Sequence, residues 1–509
     1  MYTVKIKPDI LEHRLDCSFY NPVGLAATTK LNSTMEVNKL SELVDQRRKI
    51  TNGVRGPEWA TSKFKLIRLQ DCEHWIVNSD AAASITKRQF DENRRCKLQA
   101  NDIVVAIGGY IGNAAVVVDE CDAVIGQHSA VLPEPEQTGA DSRFLVAYLN
   151  SRFAEAIFSR YVSGTVQAGI NLEDLRELPA PKPNGAAQKY IGDKVRQAER
   201  LRTWAKETES SVTQYHQALV PSQSTLNFAK RVRLVSPARM SERLDAHFYP
   251  GVVDDYLRLH QQKFKPLGKL CTTIYNGQTQ SETSSANSCK QITVTNLSSS
   301  FMGGTPRDVE MPGKQEKFLK PYDILMCNAA HNKAYIGKDL TFVHSEAAIL
   351  PSTEVMTLRV DRNQVPASYV RAYLLTKLGY VQIQSTIRGI TAHSYPDDMA
   401  LLDIFVPELE DKYRDEWFAC DENLALAGKA CEIATQLTHV AKSLVEALIE
   451  GQISEAELIS AEHALETGND KLDRQILNRL KTDGVDGQGH ALFSDLDQLY
   501  SLLEQASHS

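Results

Sequence analysis

Polar side chains that could bind nucleic acid are concentrated in two distant parts of the sequence. Arg and Lys can bind guanine edges or phosphates, and Asn and Gln can bind adenine edges. The candidates in the first part are Arg47, Arg48, Lys49, Lys63, Lys65, Lys87, Arg88, Arg94, Arg95, Gln127, His128, Arg160, Thr165 and Gln167. Those in the second part are Gln278, Thr279, Gln280, Asn296, Asn328, His331, Asn332, Lys333, Arg388, Thr391 and His393. For any one of them the alternative is a solvated surface residue, so the hypothesis depends on the set as a whole.

Two other segments are similar to enzyme motifs but lack essential parts. Asn21-Pro22-Val23-Gly24 is similar to the Asn-Pro-Pro-aromatic loop with which amino-methyltransferases hold a flipped base, but it lacks the second proline and the aromatic residue. Gly108-Gly109-Tyr110-Ile111-Gly112 could be a phosphate loop, but an apolar strand-like run follows it where such a loop opens a helix. We interpret it as a hairpin turn. The sequence therefore predicts a chain without a catalytic site.

The cysteines, the hydropathy and the charge distribution of the chain indicate which classes of protein it can belong to. The nine cysteines include no Cys-x-x-Cys pair, so we expect no metal site and no disulfide framework. The chain opens on polar residues and has no apolar run of membrane-spanning length, so we expect a cytoplasmic protein without a membrane contact. Residues 411–509 carry a formal charge of −11, whereas the whole chain carries −7. The rest of the chain is therefore mildly basic, which suits DNA binding through moderate basic faces.

The sequence contains a collinear internal repeat with an offset of 221–229 residues. Arg14-Leu15-Asp16 with Phe19-Tyr20 returns as Arg243-Leu244-Asp245 with Phe248-Tyr249. The further matches are Leu40 with Leu267, Leu43 with Leu270, Asn52-Gly53 with Asn276-Gly277, Leu98 with Leu319, Asp102-Ile103 with Asp323-Ile324, Tyr110-Ile111-Gly112 with Tyr335-Ile336-Gly337, Tyr148-Leu149 with Tyr373-Leu374, and Gly164 with Gly389. We expect a turn at each Asn-Gly pair. The ordered series indicates a duplicated domain whose polar loops differ between the copies.

Each copy is predicted to be a mixed α/β domain followed by a long amphipathic helix. Apolar residues at alternating steps of three and four predict a seam formed by Ile191, Val195, Leu201, Val212 and Leu219 in one helix and by Leu426, Ile433, Leu437 and Leu444 in the other. We favour packing of the two helices against each other, and the alternative is that each packs on its own domain. Pro221 and Gly451 are expected to end the helices.

The predicted fold class is α+β, with two homologous domains joined by two long helices and a helical C-terminal extension. The predicted boundaries are 1–183 for the first domain, 184–230 for the first long helix and linker, 231–410 for the second domain, 411–451 for the second long helix, and 452–509 for an acidic extension that the repeat does not explain.

In this order the features resemble the specificity subunit of type I restriction-modification systems over residues 9–450. The resemblance rests on the duplicated Leu-x-x-Leu, Leu-x-x-x-Asp-Ile, Tyr-Ile-Gly and Tyr-Leu, then a segment closed by proline and a long helix. The closure Pro179-Ala180-Pro181-Lys182-Pro183, followed by Gln188 and Ile191, is especially similar.

The resemblance implies two target-recognition domains, each binding half of a bipartite, asymmetric site in double-stranded DNA. It implies that the long helices form an antiparallel coiled coil that sets the spacing of the domains. It also implies two methyltransferase subunits as partners, which bring S-adenosylmethionine, and a motor-nuclease subunit that joins for restriction. This chain would itself hold no cofactor and perform no catalysis.

Three alternatives stay open at this point. The long acidic extension and the less typical closure Asp403-Ile404-Phe405-Val406-Pro407 leave room for a specificity factor of a related methylation-based phage-defence system. The others are a coiled-coil scaffold whose domains bind protein, and a self-contained nuclease or methyltransferase.

Overall fold

The structure is a computed structural model that describes residues 11, 14, 16–135, 138–163, 168–224, 226, 228, 235, 237, 240, 243–260, 263–285, 287–313, 316–345 and 348–507. The chain divides into two compact units. The first unit is Met1–Leu201 with Ile433–Ser509, and the second is Arg202–Glu432. Each unit therefore contains one copy of the repeat and one half of each long helix.

The first unit contains short helices around small mixed sheets. The helices are α1 (Pro22–Thr34), α2 (Lys87–Glu92), α3 (Ser142–Leu149), α4 (Arg152–Tyr161) and α5 (Leu172–Glu177). The strands are β1 (Val37–Lys39), β2 (Thr51–Asn52), β3 (Lys65–Ile67), β4 (Cys72–Glu73), β5 (Ile76–Val77), β6 (Ala83–Ser84), β7 (Ile103–Ala106), β8 (Ala114–Val116), β9 (Ala123–Ile125), β10 (Ser129–Leu132) and β11 (Pro179–Pro181). The long helix α6 (Gly185–Ala218) follows. The strands from β7 to β10 are buried along their whole length and apolar except for Ser129, and they form the core of this unit.

The second unit repeats this plan. Its short helices are α7 (Gly251–Leu259), α8 (Leu267–Leu270), α9 (Ala367–Leu374), α10 (Lys377–Ser385) and α11 (Pro396–Met399). Its strands are β12 (Phe264–Pro266), β13 (Cys271–Asn276), β14 (Ser288–Ile292), β15 (Arg307–Glu310), β16 (Ile324–Cys327), β17 (Ala329–Ala330), β18 (Leu340–Phe342), β19 (Ile349–Pro351), β20 (Val355–Val360), β21 (Ala392–His393) and β22 (Asp403–Phe405). The long helix α12 (Asp411–Glu450) ends the repeat.

The central strand pairings are the same in the two units. In the first, β7 pairs antiparallel with β8 and β10, and β3 pairs parallel with β9. In the second, β16 pairs antiparallel with β18 and β20, and β14 pairs parallel with β19. The strand that follows the first helix pairs antiparallel with the closing strand in both, β1 with β11 and β12 with β22. The predicted fold class, two homologous mixed α/β domains, is confirmed.

The repeated Arg-Leu-Asp segment is a structural clasp. The Arg14 guanidinium lies 2.8 Å from the Asp16 carboxylate and 2.9 Å from that of Asp174, and its hydrogen bond lowers the pKa of Asp16 to about 2. In the second unit Arg243 lies 2.8 Å from Asp245 and 3.1 Å from Asp398. The clasp joins the start of each domain to the helix before its closing strand, which explains why these residue types recur.

The two Asn-Gly pairs are close backbone approaches, so the turn predicted at each of them is wrong. Asn52 is the last residue of β2 and Asn276 the last of β13. A Cβ atom on Gly53 would overlap the carbonyl oxygen of Ile125, and one on Gly277 would overlap that of Pro351. Neither glycine has a positive φ. Glycine is required there because a neighbouring strand occupies the space of a side chain.

The long helices run antiparallel in the second unit. Burial raises the pKa of Tyr215, near the end of α6, and so do Glu416 and Cys420, near the start of α12. Burial raises the pKa of Cys431, further along α12, to about 11, and two residues of α6 also act on this pKa: Arg202 lowers it and Glu209 raises it. The order of these contacts is reversed between the two helices, so an antiparallel pair is confirmed there.

Most of the predicted seam is buried. Ile191, Val195, Leu201, Val212, Ile433, Leu437 and Leu444 are inaccessible or nearly so. Leu426 is half-buried, because the inward face of α12 passes through Leu424 and Ala427 instead. Leu219 is also half-buried and lies beyond the end of α6, so it does not belong to the helix. Gly451 has φ +77° and follows the last residue of α12, as predicted for a helix C-terminus.

The C-terminal extension is integrated into the first unit. It consists of α13 (Glu455–Glu466), α14 (Lys471–Arg479), β23 (Leu480–Lys481), β24 (Gly484–Val485) and α15 (Leu496–Gln505). Asp473 of α14 lies 2.6 Å from the Lys194 ammonium of α6 and accepts a hydrogen bond of 2.6 Å from the Tyr190 hydroxyl. Lys194 and Asp473 are both buried. The extension therefore anchors the first half of α6. In the described part of the chain no helix is long and apolar enough to cross a membrane.

Candidate nucleic-acid interface

In the first unit the Tyr-Ile-Gly segment forms the turn between two buried strands. β7 and β8 are antiparallel, and backbone hydrogen bonds of 2.9 Å between Ala106 and both Gly112 and Asn113 close the turn. Gly112 has φ +94°, and a Cβ atom there would lie 3.0 Å from the Phe158 ring. Tyr110 is 79% exposed at the tip. The predicted hairpin turn is confirmed, and it presents an aromatic side chain to solvent.

A second loop lies beside this turn. Ser163 and Gly169 exchange two backbone hydrogen bonds of 2.9 Å, and the Ile170 amide donates to the Ile107 carbonyl at 3.0 Å. The residues between Ser163 and Ala168 include Gly164, Thr165 and Gln167, which lie outside the described residues. The base of their loop is nevertheless fixed next to Gly108.

A cleft of about 1210 Å³ opens at this place. Besides aliphatic and small residues, its lining includes aromatic rings, amides or imidazoles, and cations: Trp59, Trp75, Tyr110, Gln70, His74, Asn113, Gln127, His128, Arg68 and Lys442. Lys442 comes from α12, in the half of that helix that belongs to this unit. Flat rings for stacking, polar groups for base edges and cations for phosphates are the types that nucleic acid requires.

Two of the lining residues lie on a strained turn. His74 and Trp75 form the two-residue connection between β4 and β5, and both have positive φ, 52° and 67°. A two-residue turn of this hand normally carries Asn and Gly, because other residues adopt it at a cost of about 1 kcal/mol or more each. The turn therefore presents an imidazole and an indole to the cleft against the local backbone preference, as is typical of functional sites.

The second unit builds the matching surface from different residues. Arg388 and His393 exchange backbone hydrogen bonds of 2.8 and 3.0 Å around Gly389, and β21 pairs with β17. Tyr335, 55% exposed, precedes Gly337, which has φ +69° and packs against Ile383 of α10. The turn that carries the tyrosine (the Tyr turn, at Tyr110 or Tyr335) therefore lies beside the loop that contains Gly389 (the Gly loop) in the second unit, and beside the base of the corresponding loop at Ser163 and Gly169 in the first.

Several predicted residues come together on this surface. His331, Asn332, Lys333 and Thr391 are exposed, and His393 is half-buried with its ring stacked on Tyr395. Gln278, Thr279 and Gln280 follow β13, and the Thr279 hydroxyl lies 3.4 Å from that of Thr353. The buried side chain of Asn328 donates a hydrogen bond of 3.1 Å to the Thr353 carbonyl, and its backbone carbonyl accepts one of 2.8 Å from the Ser394 amide. It holds the loops together and does not face solvent.

Three other predicted contacts are structural instead. Arg48 pairs with the buried Asp102 carboxylate through two bonds of 2.6 and 2.8 Å. Arg160 is buried, donating 3.0 Å to the Phe19 carbonyl with its guanidinium 4.4 Å from the Phe19 ring centre. Asn296 is buried and caps its own turn. Burial removes Arg160 and Asn296 from solvent, and the ion pair with Asp102 holds the partly exposed Arg48. Their residue types alone did not indicate this.

The remaining basic candidates of the first unit are surface residues outside the cleft. Arg47, Lys63, Lys87, Arg88 and Arg94 are exposed and form ion pairs with Asp45, Asp122, Asp91, Glu58 and Asp91 respectively. Lys65 donates a hydrogen bond of 3.1 Å to the Ala82 carbonyl, and Arg95 donates one of 2.9 Å to the Thr51 hydroxyl. Lys49 is exposed. None of these lines the cleft, whereas Gln127 and His128 do. Arg388 is likewise held by Asp398.

The sequence prediction missed the aromatic residues and the helix residue of the site. Trp59, Trp75 and Tyr110 enter the cleft from three separate segments, and Lys442 reaches it from α12. One signal was present, since the Tyr-Ile-Gly match placed an aromatic residue at the same turn in both copies. Lys442 had no signal, because only folding brings α12 to this face.

Comparison with known proteins supports the sequence resemblance. Residues 32–213 match the model of the type I restriction modification DNA specificity domain. The chain is 26% identical over 174 residues to the type I restriction enzyme EcoBI specificity subunit of Escherichia coli. That match covers 34% of this chain and 36% of the relative, so the chain matches about a third of the length of that protein. The family resemblance found in the sequence is confirmed.

Two solved structures are similar to the chain over most of their length. The type I restriction-modification S subunit from M. genitalium is 15% identical, with 84% of this chain and 95% of that chain covered at a TM-score of 0.36. The HsdS subunit from Thermoanaerobacter tengcongensis is 14% identical, with 82% and 97% covered at a TM-score of 0.27.

Proposed function

We propose that this chain is a member of the type I restriction-modification specificity family and a non-catalytic subunit that recognises a two-part DNA target. Each unit would bind one half of the target through its Tyr turn, its Gly loop and the segments beside them. The observation that carries the proposal is a duplicated frame with divergent loops. The same strand pairing and the same clasp recur in both units, whereas the polar side chains at the corresponding surface differ.

Divergence at this surface suits the recognition of two different half-sites. The first unit presents Gln127 and His128 with two indoles, and the second presents His331, Asn332 and Thr391. Base edges are read by such amide, imidazole and hydroxyl groups, while the frame itself carries no sequence information. A duplicated frame can therefore position two separate sets of base contacts.

Methyl transfer and cleavage would belong to partner subunits. Two DNA methyltransferase subunits would bind this chain and supply S-adenosylmethionine, and a motor-nuclease subunit would join for restriction. Within the described residues no group of three or more His, Cys, Asp or Glu side chains is placed to hold a metal ion. The chain's own contribution would be the choice of the DNA site.

The test is equilibrium DNA binding by the complex of this chain with its methyltransferase subunits. Mapping methylated adenines in the host with and without the gene supplies the target, and each half is then scrambled in turn. We expect His128→Ala to lose the preference for one half and Thr391→Ala with His393→Ala to lose the preference for the other. Arg94→Ala, an exposed residue away from the cleft, is the matched control. Each lost base contact should cost about tenfold in affinity.

Three results would contradict the proposal. Sequence-independent binding by the complete complex would remove the specificity role. Stable partner assembly without DNA affinity at any salt concentration would indicate a protein scaffold. Methylation or cleavage of DNA by the chain alone would make it an enzyme.

A further inference from the structure

Each unit carries an exposed tyrosine at the same point of the same turn. Tyr110 and Tyr335 each stand two residues before a glycine of positive φ, Gly112 and Gly337. Each glycine packs against the corresponding helix, at Phe158 of α4 or Ile383 of α10. The tyrosines are 79% and 55% exposed. Packing of the core therefore does not explain why a tyrosine stands at either position.

The turns hold these side chains ready for a ligand. Ile336, next to Tyr335, is fully buried, and the Gln384 amide of α10 donates to the carbonyls of Lys333 and Ile336 at 3.0 and 2.7 Å. In the first unit the Gly112 amide donates to the Ala106 carbonyl at 2.9 Å. Over the described part of the chain neither the Tyr110 nor the Tyr335 hydroxyl has a hydrogen-bond partner. The backbone is fixed while the phenol is left available.

The two tyrosines are identical in both copies of the repeat, whereas the polar residues near them differ. Gln127 and His128 of the first unit have no identical counterparts at the surface of the second. Two half-sites of an asymmetric target differ in bases, but their sugar-phosphate backbone is the same. A residue that stays the same in both modules cannot tell the half-sites apart, so it suits what the half-sites share.

We propose, resting on the DNA-recognition function above, that Tyr110 and Tyr335 form a matched pair of sequence-independent contacts. The hydroxyl of each would donate a hydrogen bond to a backbone phosphate of its half-site. The surroundings favour a phosphate over a protein partner, because cations belong to the same surface as each tyrosine. Lys338 Nζ is 5.8 Å from the Tyr335 ring centre, Lys333 is two residues away, and Tyr110 shares its cleft with Arg68 and Lys442. The pair would fix the register of each module, and the divergent loops would then test the bases.

The test compares Tyr110→Phe, Tyr335→Phe and the double variant in the complex with the methyltransferase subunits. Each is titrated with four duplexes, namely the cognate site, each half-site scrambled, and both scrambled. Phenylalanine keeps the ring and removes only the hydroxyl. Tyr413→Phe, at an exposed tyrosine on α12 outside the turns, is the matched control.

We expect each single variant to lower affinity by about ten- to a hundredfold for all four duplexes, as for loss of a hydrogen bond to a charged group. The two losses should multiply in the double variant, and the ratio of cognate to scrambled affinity should not change. The phosphates of the duplex can also be replaced one at a time by an uncharged methylphosphonate. The difference in affinity between wild type and Tyr335→Phe should then disappear at one replaced phosphate only. The Tyr413→Phe complex should bind like wild type.

Other outcomes overturn the inference. Unchanged affinity in the double variant removes the contact, and a loss confined to duplexes with one intact half-site makes the tyrosines base readers. Failure of the variants to assemble with the methyltransferase makes the turn a protein contact. If the wild-type complex did not distinguish the four duplexes, the proposed function would fail. An equal loss in the tyrosine variants would then still support the phosphate contact.

Discussion

The Arg48→Ala substitution separates a structural role from a DNA-binding role most directly. Arg48 was among the DNA-binding candidates, but the structure pairs it with Asp102, whose side chain is inaccessible, while the side chain of Arg48 is 25% exposed. Asp102 also accepts hydrogen bonds from the amides of Gln99 and Glu134, at 2.9 and 3.0 Å. Removing the guanidinium leaves a buried carboxylate with backbone donors only.

The cost follows from this geometry. Breaking a buried ion pair typically costs 3–5 kcal/mol. Because two amides still bind the carboxylate and the guanidinium is partly solvated, we expect about 3 kcal/mol in the unfolding of the first unit. That corresponds to a fall of roughly 6–12 °C in its melting temperature. Arg47→Ala, one residue earlier and exposed, should leave the melting temperature of the first unit unchanged.

Differential scanning calorimetry measures the stability, and DNA titration at several salt concentrations measures the function. At a temperature where the variant is folded, Arg48→Ala should bind DNA with the salt dependence of wild type, because no phosphate contact is lost. A phosphate contact would instead lower the salt slope by about one unit. An unchanged melting temperature combined with a lower slope would refute the structural role.

Three more predictions follow from buried contacts. Gly53→Ala should destabilise the first unit by about 2 kcal/mol or more, because its Cβ would meet the Ile125 carbonyl. Gly185→Ala, with open space around it, should not destabilise the protein in this way. Equal melting temperatures of the two variants would contradict this prediction. Burial lowers the pKa of His216 to about 4, so its neutral form is favoured in the folded state. Stability should therefore fall as pH drops from 6.5 towards 4, by up to about 3 kcal/mol, and urea titrations should show that this part of the loss is absent in His216→Gln. Asp473→Asn should cost about 3 kcal/mol, since it leaves the Lys194 ammonium buried without its carboxylate, and thermal unfolding that matches wild type would exclude this anchor.

The duplicated fold could be predicted because the repeated residues carry out frame contacts. Arg14 and Arg243 form the same clasp, and the hydroxyls of Tyr148 and Tyr373 donate to carbonyls of the closing strands in both copies. Contacts of this kind need particular residue types at particular positions, so they persist in both copies and can be read from one chain. The long helices were predicted for a similar reason, since their seam follows a simple period.

The site was predicted only in part, because exposure is decided by tertiary structure. Nothing in sequence distinguishes Arg48, which neutralises Asp102, from the exposed Arg47 beside it. The Asn-Gly pairs misled for the same reason, since a glycine needed for close packing has the sequence of a glycine needed for a turn. Lys442 joins the cleft only through the path of α12.

Stability and recognition are carried by different side chains, and this explains how one frame can bind different sequences. Asn328 lies at the surface loops of the second unit, but its side chain is buried and donates a hydrogen bond to the Thr353 carbonyl, so substituting it would disturb the fold. Thr391, in the loop adjacent to it, is exposed. Substitutions at positions of the second kind change which groups face a ligand at little cost in folding free energy, because surface changes are usually within about 0.5 kcal/mol. Two copies of the frame could therefore diverge in their loops while the clasps and strand pairings stayed the same.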